Sequence, residues 1–341
     1  MKQSKKPFTI HFVCRGNVYR SRLAAAYMHT LLDERFVVSS SGLEADKAVF
    51  KTVGPATEAL AKLNKLSYEI HRTKAKTTGK VLADADVVVC LSKDIYDQMI
   101  QSFEVDTRKV LVWNVPDTTS KQYFAAMAKG TAALVKLGAP AFARIQKECQ
   151  KLHEYLTHTA WVDIYDANNH ATGLRLPMAW AADRGLYHRG IHVVVRTHEG
   201  KFVVGKRGKS IVFGPGMLEI SLGGGIDTGE VPLQAAIRET HEELGVKVAA
   251  HRFKPLFVYR MHSFHPRYNK RTRGFVYVYA VTLPMHHEPL HPQLSEVQEL
   301  RLLSLWQVRQ ILRTHRMLRF GRLMWRYKLY KKAIAYSQHL A

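Results

Sequence analysis

The chain has 341 residues, more than one small domain needs, and its hydrophobic fraction of 46% and charged fraction of 23% suit ordinary globular folding. Lys and Arg number 51 against 28 Asp and Glu, a formal net charge of +23 that favours polyanionic partners: phosphorylated substrates, nucleotides, RNA or acidic lipid surfaces. Three cysteines, Cys14, Cys90 and Cys149, are too few for a disulfide framework and too scattered for a zinc site. No stretch is apolar for long enough to cross a bilayer, and the run Phe8–Val13 is too short for an export signal, so the expected location is the cytoplasm.

Thr9–Val13 reads as a buried strand, and Ser21–Leu32 as a helix with Leu23, Ala24, Tyr27, Met28, Leu31 and Leu32 at helical spacing. Strands at Val37-Val38, Val87–Leu91 and Val110–Trp113 alternate with helices near Ala56–Leu63 and Asp94–Ile100. A long helical region from Gln122 to about Tyr155 is expected to break at Gly138-Ala139-Pro140. Such alternation predicts an α/β doubly wound parallel sheet covered on both faces. After Thr157 the pattern turns strand-rich. Trp161–Asp166 closes on the turn signal Ala167-Asn168-Asn169, and Gly190–Arg196 and Lys201–Lys206 flank a hairpin loop. A strong helix at Pro232–Leu244 precedes strands at Lys247–Tyr259 and Gly274–Thr282, and a basic helical stretch begins near Leu305. The predicted domains are residues 7–156 and 159–315, followed by a basic helical tail, 316–341.

Cys14-Arg15-Gly16-Asn17-Val18-Tyr19-Arg20-Ser21 places a cysteine at a strand end, five residues in a loop, and Arg20-Ser21 at the opening of a helix. The backbone of Arg15, Gly16, Asn17, Val18 and Tyr19, with Ser21, can wrap around one dianion at the positive end of that helix. N–H groups aimed at the Cys14 sulfur favour the thiolate, the nucleophilic form. Arg20 can fork onto two phosphoryl oxygens, and Ser21 can donate to the sulfur as it leaves. Gly16 permits the tight turn, and Asn17 can brace it. An acid/base is also required, and Asp117 in Val115-Pro116-Asp117 follows a predicted strand on the edge where parallel sheets gather their sites. Cys90 and Cys149, in strand and helix patterns, read as buried filler.

The spacing Cys-x5-Arg-Ser after the first strand, with the late Val-Pro-Asp, resembles the low-molecular-weight protein tyrosine phosphatase family over about residues 7–156. Ser40-Ser41-Gly42 and Ala83–Cys90 extend the likeness. The resemblance implies reaction through phosphocysteine, with Cys14 as nucleophile, Arg20 as phosphate clamp and Asp117 as acid/base, and no metal. Three positions depart from the family pattern. Tyr19 stands where many members have a second loop cysteine, Arg22 where Pro follows the loop's Ser, and Thr118-Thr119 where Pro and an aromatic follow the acid. Phosphotyrosine, phosphoarginine and small phosphate esters all stay open as substrates.

Gly224 to Glu230, followed by Arg238-Glu239-Thr240-His241-Glu242-Glu243-Leu244-Gly245-Val246, reads as the Nudix box, with Thr240 where a bulky apolar residue is usual. Glu239, Glu242 and Glu243, at i, i+3 and i+4, share a helix face, and a Mg²⁺ or Mn²⁺ ion would relieve their mutual repulsion. Arg238 can orient Glu242, Glu230 approaches from the preceding loop, and Gly245 ends the helix. The second half resembles the Nudix branch related to isopentenyl diphosphate isomerase over about residues 159–315. That resemblance implies an α/β/α sandwich with a mixed sheet. No cysteine follows Cys149, so hydrolysis of a nucleoside-diphosphate-linked compound is expected rather than isomerisation. Glu296 or Glu299 is the candidate distal base, and His188-Arg189 is either a phosphate contact or a structural hydrogen-bonding pair.

Arg309, Arg313, Arg316, Arg319, Arg322 and Arg326 would form a stripe on a helix, suited to RNA phosphates or an anionic surface, or else to the solvated face of a packed helix. The expectation is a bifunctional phosphate hydrolase acting on a phosphorylated small molecule or phosphoprotein and on a nucleotide-linked diphosphate. Its rivals are a phospholigand-sensing regulatory protein with one inactive half and an RNA-end pyrophosphohydrolase.

Overall fold

The computed structural model describes residues 7–68, 70, 72–209, 215–265, 270–286, 289–292, 297–313 and 324–338. It divides between His158 and Thr159 into two compact units.

The first unit contains β1 (Phe8–Cys14), α1 (Arg20–Leu31), β2 (Phe36–Gly42), α2 (Pro55–Leu63), α3 (Gly79–Asp84), β3 (Val87–Cys90), α4 (Lys93–Ser102), β4 (Val110–Val112), α5 (Ser120–Ala128) and α6 (Thr131–Thr157). Its four strands are parallel in the order β2-β1-β3-β4. Ile10, Phe12 and Val87 to Cys90 are fully buried, as β-branched and aromatic strands covered on both faces should be. The chain crosses from β1 to β2 on one side and to β3 on the other, so the crevice at the carboxyl end of β1 is the switch point where such sheets form sites. Cys14 ends that strand.

The expected helix break at Gly138-Ala139-Pro140 is not observed. The break lies at Gly130, whose φ of 92° is left-handed, and α6 continues through Pro140. Pro140 removes one donor from the ladder, but Leu134, Ala141, Phe142, Ile145 and Cys149 are all buried, and that packing overrides the local preference.

The second unit runs β5 (Trp161–Tyr165), β6 (Ala171–Pro177), α7 (Met178–Asp183), β7 (Tyr187–Arg196), β8 (Phe202–Arg207), β9 (Leu218–Glu219), β10 (Ser221–Gly225), α8 (Pro232–Leu244), β11 (Phe253–His265), β12 (Lys270–Thr282), β13 (Val297–Leu303), α9 (Leu305–Arg313) and α10 (Met324–Gln338). The nine-stranded sheet is mixed: β12 and β7 are parallel, whereas β10 and β7, β11 and β12, and β13 and β8 are antiparallel. Alternation along the strands sorts the core. Val193, Val203 and Leu222 pack with Ala235, Ala236 and Leu244 of α8, while Val194, Phe202 and Val204 pack with Val308, Leu312, Tyr330, Ala333 and Ile334 of α9 and α10. The result is helix, sheet, helix.

Two expectations need correction here. The strand expected at Lys247–Tyr259 begins only at Phe253, after a short 3₁₀ turn at Ala250–Arg252. Val246 and Val248 are nonetheless buried against α8, so they supply the apolar pattern from a loop. The segment expected as a separate tail contains α10, which is built into the domain: Tyr330, Ala333, Ile334 and Ser337 are buried, and Arg196 Nη1 donates to Ser337 O at 2.7 Å. Arg309 is exposed on α9, whereas Arg316, Arg319 and Arg322 lie outside the described residues.

Candidate active sites

The loop after β1 closes on the sulfur of Cys14. Ser21 Oγ lies 2.9 Å from Cys14 Sγ, and the Asn17 N–H donates to the same sulfur at 3.2 Å. Asn17 adopts a φ of 55°, a conformation that asparagine tolerates better than most residues. It is held there by its side chain: Nδ2 donates to Ser21 Oγ at 3.0 Å and to Ser40 Oγ at 2.9 Å, and Oδ1 accepts from Ala75 N at 2.8 Å. Gly42, at the end of β2, is required by a close approach, since a Cβ there would stand 2.6 Å from both Arg15 O and Asn17 N. Val18 O accepts from Thr57 Oγ1 at 2.9 Å, which ties the loop to α2.

Tyr19, standing in place of a second loop thiol, donates from its hydroxyl to Gly138 O at 2.9 Å. Burial, followed by the charge of Asp117, pushes that phenol well above its ordinary range. Arg15 is exposed and pairs with Asp94 at 2.8 Å. Arg20 is 4% exposed and forms an ion pair with Asp117, with Ser92 Oγ at 3.3 Å and Val115 O at 3.4 Å also accepting from it. Clamp and acid/base candidate, 97 residues apart in sequence, therefore meet beside the loop. Sequence reasoning did not single out Ser92 and Asp94. Their signal was present in Ser92-Lys93-Asp94, a cap-like start to α4 directly after β3. Cys90 and Cys149 are buried, and burial pushes the Cys90 thiol up to about 12.

In the second unit Arg238 gathers the acidic residues. Its Nε and Nη2 grip the two oxygens of Glu230 at 3.0 Å each, Nη1 bonds Glu239 at 2.7 Å and Glu242 at 3.1 Å, and Nη2 bonds Gly225 O at 2.9 Å. Glu230 above all, then Glu239, holds its guanidinium far above its ordinary value. Glu243 Oε1 accepts from Gly223 N at 3.0 Å. Glu239 and Glu243 are buried, while Glu242 is half exposed. A Cβ at Gly224 would fall on the Glu239 carboxylate and force that side chain to shift, and Gly245 caps α8 with a left-handed φ of 74°. Thr240 is buried in place of the apolar residue and satisfies its hydroxyl on Ala236 O at 2.7 Å.

The three glutamates do not form a ready cage: among the described residues no group of three acidic, histidine or cysteine side chains is arranged to hold a metal. Glu239 and Glu242 turn to Arg238, and Glu243 turns to a backbone amide. Their chemistry nonetheless fits a small hard cation, since two of the three are buried carboxylates whose oxygens flank Gly223 and Gly224. Glu243 and Gly223 also line a cleft of about 280 Å³, together with Arg207, Glu219 and Ser221. Arg207 pairs with Glu219, which also accepts from Tyr330 Oη at 3.2 Å. No motif marked Glu219 or Tyr330 in advance.

His188 and Arg189 make contacts within the domain and also line a cleft with Gly223 and Gly224. His188 is buried with Nδ1 3.2 Å from Leu186 O, and burial lowers its pKa; Arg189 stacks on Tyr165 and bonds Asn169. Glu299 is exposed on β13 and bonded to Arg301, which holds its carboxyl below the usual range. Glu296 lies outside the described residues. No helix is long and apolar enough to cross a membrane, among the described residues.

Comparison with known proteins matches each unit separately. A family model for low molecular weight phosphotyrosine protein phosphatase covers residues 9–160, and one for the NUDIX domain covers residues 186–322. An uncharacterised Nudix hydrolase of Yersinia pestis is 40% identical over 86 residues, 25% of this chain and 47% of that protein, so the chain spans about half the length of that relative. The uncharacterised Nudix hydrolase orf19 of Rhodococcus erythropolis is 32% identical over 143 residues, 40% of this chain and 74% of that protein. Among solved structures, the low molecular weight protein tyrosine phosphatase SP-PTP of Streptococcus pyogenes is similar at 19% identity and a TM-score of 0.36, over 44% of this chain and 93% of that one. Both matched families are hydrolases. The chain belongs to the Nudix hydrolase family through its second half, and its first half matches the family model for low molecular weight phosphotyrosine protein phosphatase.

Proposed function

We propose that the protein is a bifunctional hydrolase, with a phosphomonoesterase centred on Cys14 and a separate diphosphate hydrolase centred on α8. The observation that carries the first activity is the convergence of Ser21 Oγ and Asn17 N on Cys14 Sγ, with Asp117 meeting Arg20 beside the loop. The Cys14 thiolate attacks phosphorus, forming the S–P bond as the ester P–O bond breaks. Protonated Asp117 gives its proton to the departing oxygen, and Arg20 turns from Asp117 onto the equatorial phosphoryl oxygens. Asp117, now a carboxylate, takes a proton from water as that water attacks phosphorus. The S–P bond then breaks with Ser21 donating to the sulfur, and inorganic phosphate leaves.

Phe50 and Tyr123 favour an aromatic ester among the open substrates. Their rings stand 5.9 Å apart, and Gly54, whose N–H reaches Val18 O of the loop at 3.4 Å, lies beneath both. An aryl phosphate such as phosphotyrosine on a protein would meet these rings beside the cradle. Turnover of p-nitrophenyl phosphate, with a phosphorylated Cys14 peptide trapped by rapid acid quench, tests the reading. Turnover that leaves Cys14 unmodified and survives Cys14→Ser would refute it.

For the second activity, Glu239, Glu242 and Glu243 would hold Mg²⁺ or Mn²⁺, which when bound activates water and neutralises diphosphate oxygens. Arg238 orients Glu239 and Glu242 from one guanidinium, and Gly223 and Gly224 let backbone and carboxylates come together at the cleft. A nucleoside-diphosphate-linked compound is the substrate class. Divalent-metal-dependent release of a nucleoside monophosphate from a dinucleotide and nucleotide-sugar panel tests it.

A further inference from the structure

Arg22 is the largest fully buried side chain among the described residues, at 1% exposure, and the mechanism above does not use it. It stands one residue after Ser21, in the first turn of α1. Its Nε donates to Asn17 O at 3.0 Å, and its Nη2 donates to Arg72 O at 3.2 Å and Thr73 O at 2.6 Å. One planar fork therefore joins the catalytic loop to a strap of chain 50 residues further on. The strap closes back on the loop a second time, where Ala75 N donates to Asn17 Oδ1 at 2.8 Å, and it reaches β2 where Gly42 N donates to Ala75 O at 2.9 Å.

Asn17 is consequently held at both ends of its peptide unit and by its side chain. Its carbonyl accepts from Arg22 Nε and its side-chain Oδ1 from Ala75 N of the strap, while its N–H points at Cys14 Sγ from a left-handed backbone.

We propose that Arg22 is a positioning residue for the Cys14 loop, acting through Asn17 to keep the loop amides aimed at the bound phosphoryl group. The proposal rests on reading residues 14–21 as a phosphatase site. A charged fork suits this task, because it binds oxygens from two segments at fixed angles, which a single ammonium cannot reproduce. Proline at this position would donate to neither segment, so a chain carrying Arg22 ties its loop down by a route that the usual residue does not offer.

Arg22→Met, Arg22→Pro and Arg22→Lys proteins are compared with the parent, using p-nitrophenyl phosphate as substrate and orthovanadate as the oxyanion probe. Loss of positioning lowers kcat roughly tenfold to a hundredfold, as small misplacements of reacting groups do. KM changes little, and vanadate inhibition weakens in step with kcat/KM, because vanadate reports the transition-state geometry. Arg22→Lys falls between the parent and the other two. Nudix cleavage by the same molecules is unchanged, which reports on the integrity of the chain. Unchanged kcat in these variants overturns the proposal. So does a lower kcat with vanadate inhibition unaltered, the result of losing a share of folded molecules while the rest keep the parent's site. If the Met and Pro variants fail to fold, Arg22→Lys decides alone, and parental kcat and vanadate inhibition in it overturn the proposal. A parent that turns over no phosphomonoester refutes the phosphatase reading instead.

Discussion

The hydroxyl of Ser21 lies 2.9 Å from the sulfur of Cys14, and the side-chain amide of Asn17 donates to that same hydroxyl at 3.0 Å. With its oxygen accepting from Asn17, Ser21 is left to donate its own proton to the sulfur, so its orientation is set before any substrate arrives.

Ser21→Ala removes that donor from the departing thiolate. A hydrogen bond to a charged group contributes about 1.5–3 kcal/mol, so breakdown of phosphocysteine should slow roughly tenfold to a hundredfold. Its formation should change less. Quenched-flow measurement of the phosphorylated Cys14 peptide should show a larger steady-state fraction of intermediate than in the parent, and an unchanged fraction would remove Ser21 from the second step.

Asp117 carries a different signature. Asp117→Asn deletes the proposed proton donor and the charged partner of Arg20. The expected loss in kcat is about 10²–10⁴-fold for an alkyl phosphate and smaller for p-nitrophenyl phosphate, whose leaving oxygen needs less help. Steady-state rates on the two esters provide the check. An equal loss on both would assign Asp117 to holding Arg20 rather than to proton transfer.

Gly224→Ala tests the second site without touching a carboxylate. Its methyl group would fall on Glu239, which must shift and disturb its bond to Arg238. Metal-dependent diphosphate cleavage should fall by about 10²-fold, while p-nitrophenyl phosphate turnover stays at the parental rate. Undiminished cleavage would show that the position of Glu239 is not needed.

His11 gives the first unit an acid sensitivity. It is buried between Ser39 Oγ and Ser41 Oγ, each 2.7 Å from a ring nitrogen, and burial pulls its pKa from 6.5 down to about 4. The native state therefore holds the neutral ring, and above pH 6.5 neither state gains a proton. Between pH 6.5 and about 4 the unfolded chain binds a proton that the native one refuses, so stability falls as the pH falls. The slope approaches about 1.4 kcal/mol per pH unit, with a ceiling of about 3 kcal/mol. Urea denaturation of the full chain across this range, following the transition of the first unit, should show that slope in the parent and a shallower one in His11→Gln. Identical slopes would contradict it.

Much of the geometry of both candidate sites could be read from the chain because it is local. Cys14 to Ser21 spans one strand end, one loop and one helix start, and Glu239 to Glu243 spans little more than a turn of α8. What stayed hidden depends on distant partners. The identity of Arg22 was visible, but its acceptors lie at residues 72 and 73. The pairing of Glu219 with Arg207 and Tyr330 joins three separate elements. Pro140 misled because local propensity ignores the burial that holds α6 together, and α10 looked like a basic tail because its buried positions, Tyr330, Ala333 and Ile334, sit among lysines and arginines. The glutamates shared a helix face as expected, yet Arg238 draws two of them to itself, an arrangement that spacing alone cannot specify.

The most direct test of two independent hydrolytic centres is a paired assay of Cys14→Ser and Glu242→Gln proteins on p-nitrophenyl phosphate and on a dinucleotide panel with Mg²⁺. Cys14→Ser should abolish phosphomonoester turnover and leave diphosphate cleavage at the parental rate, and Glu242→Gln should do the reverse. A variant that loses both activities, or a pair that retains both, would contradict the account.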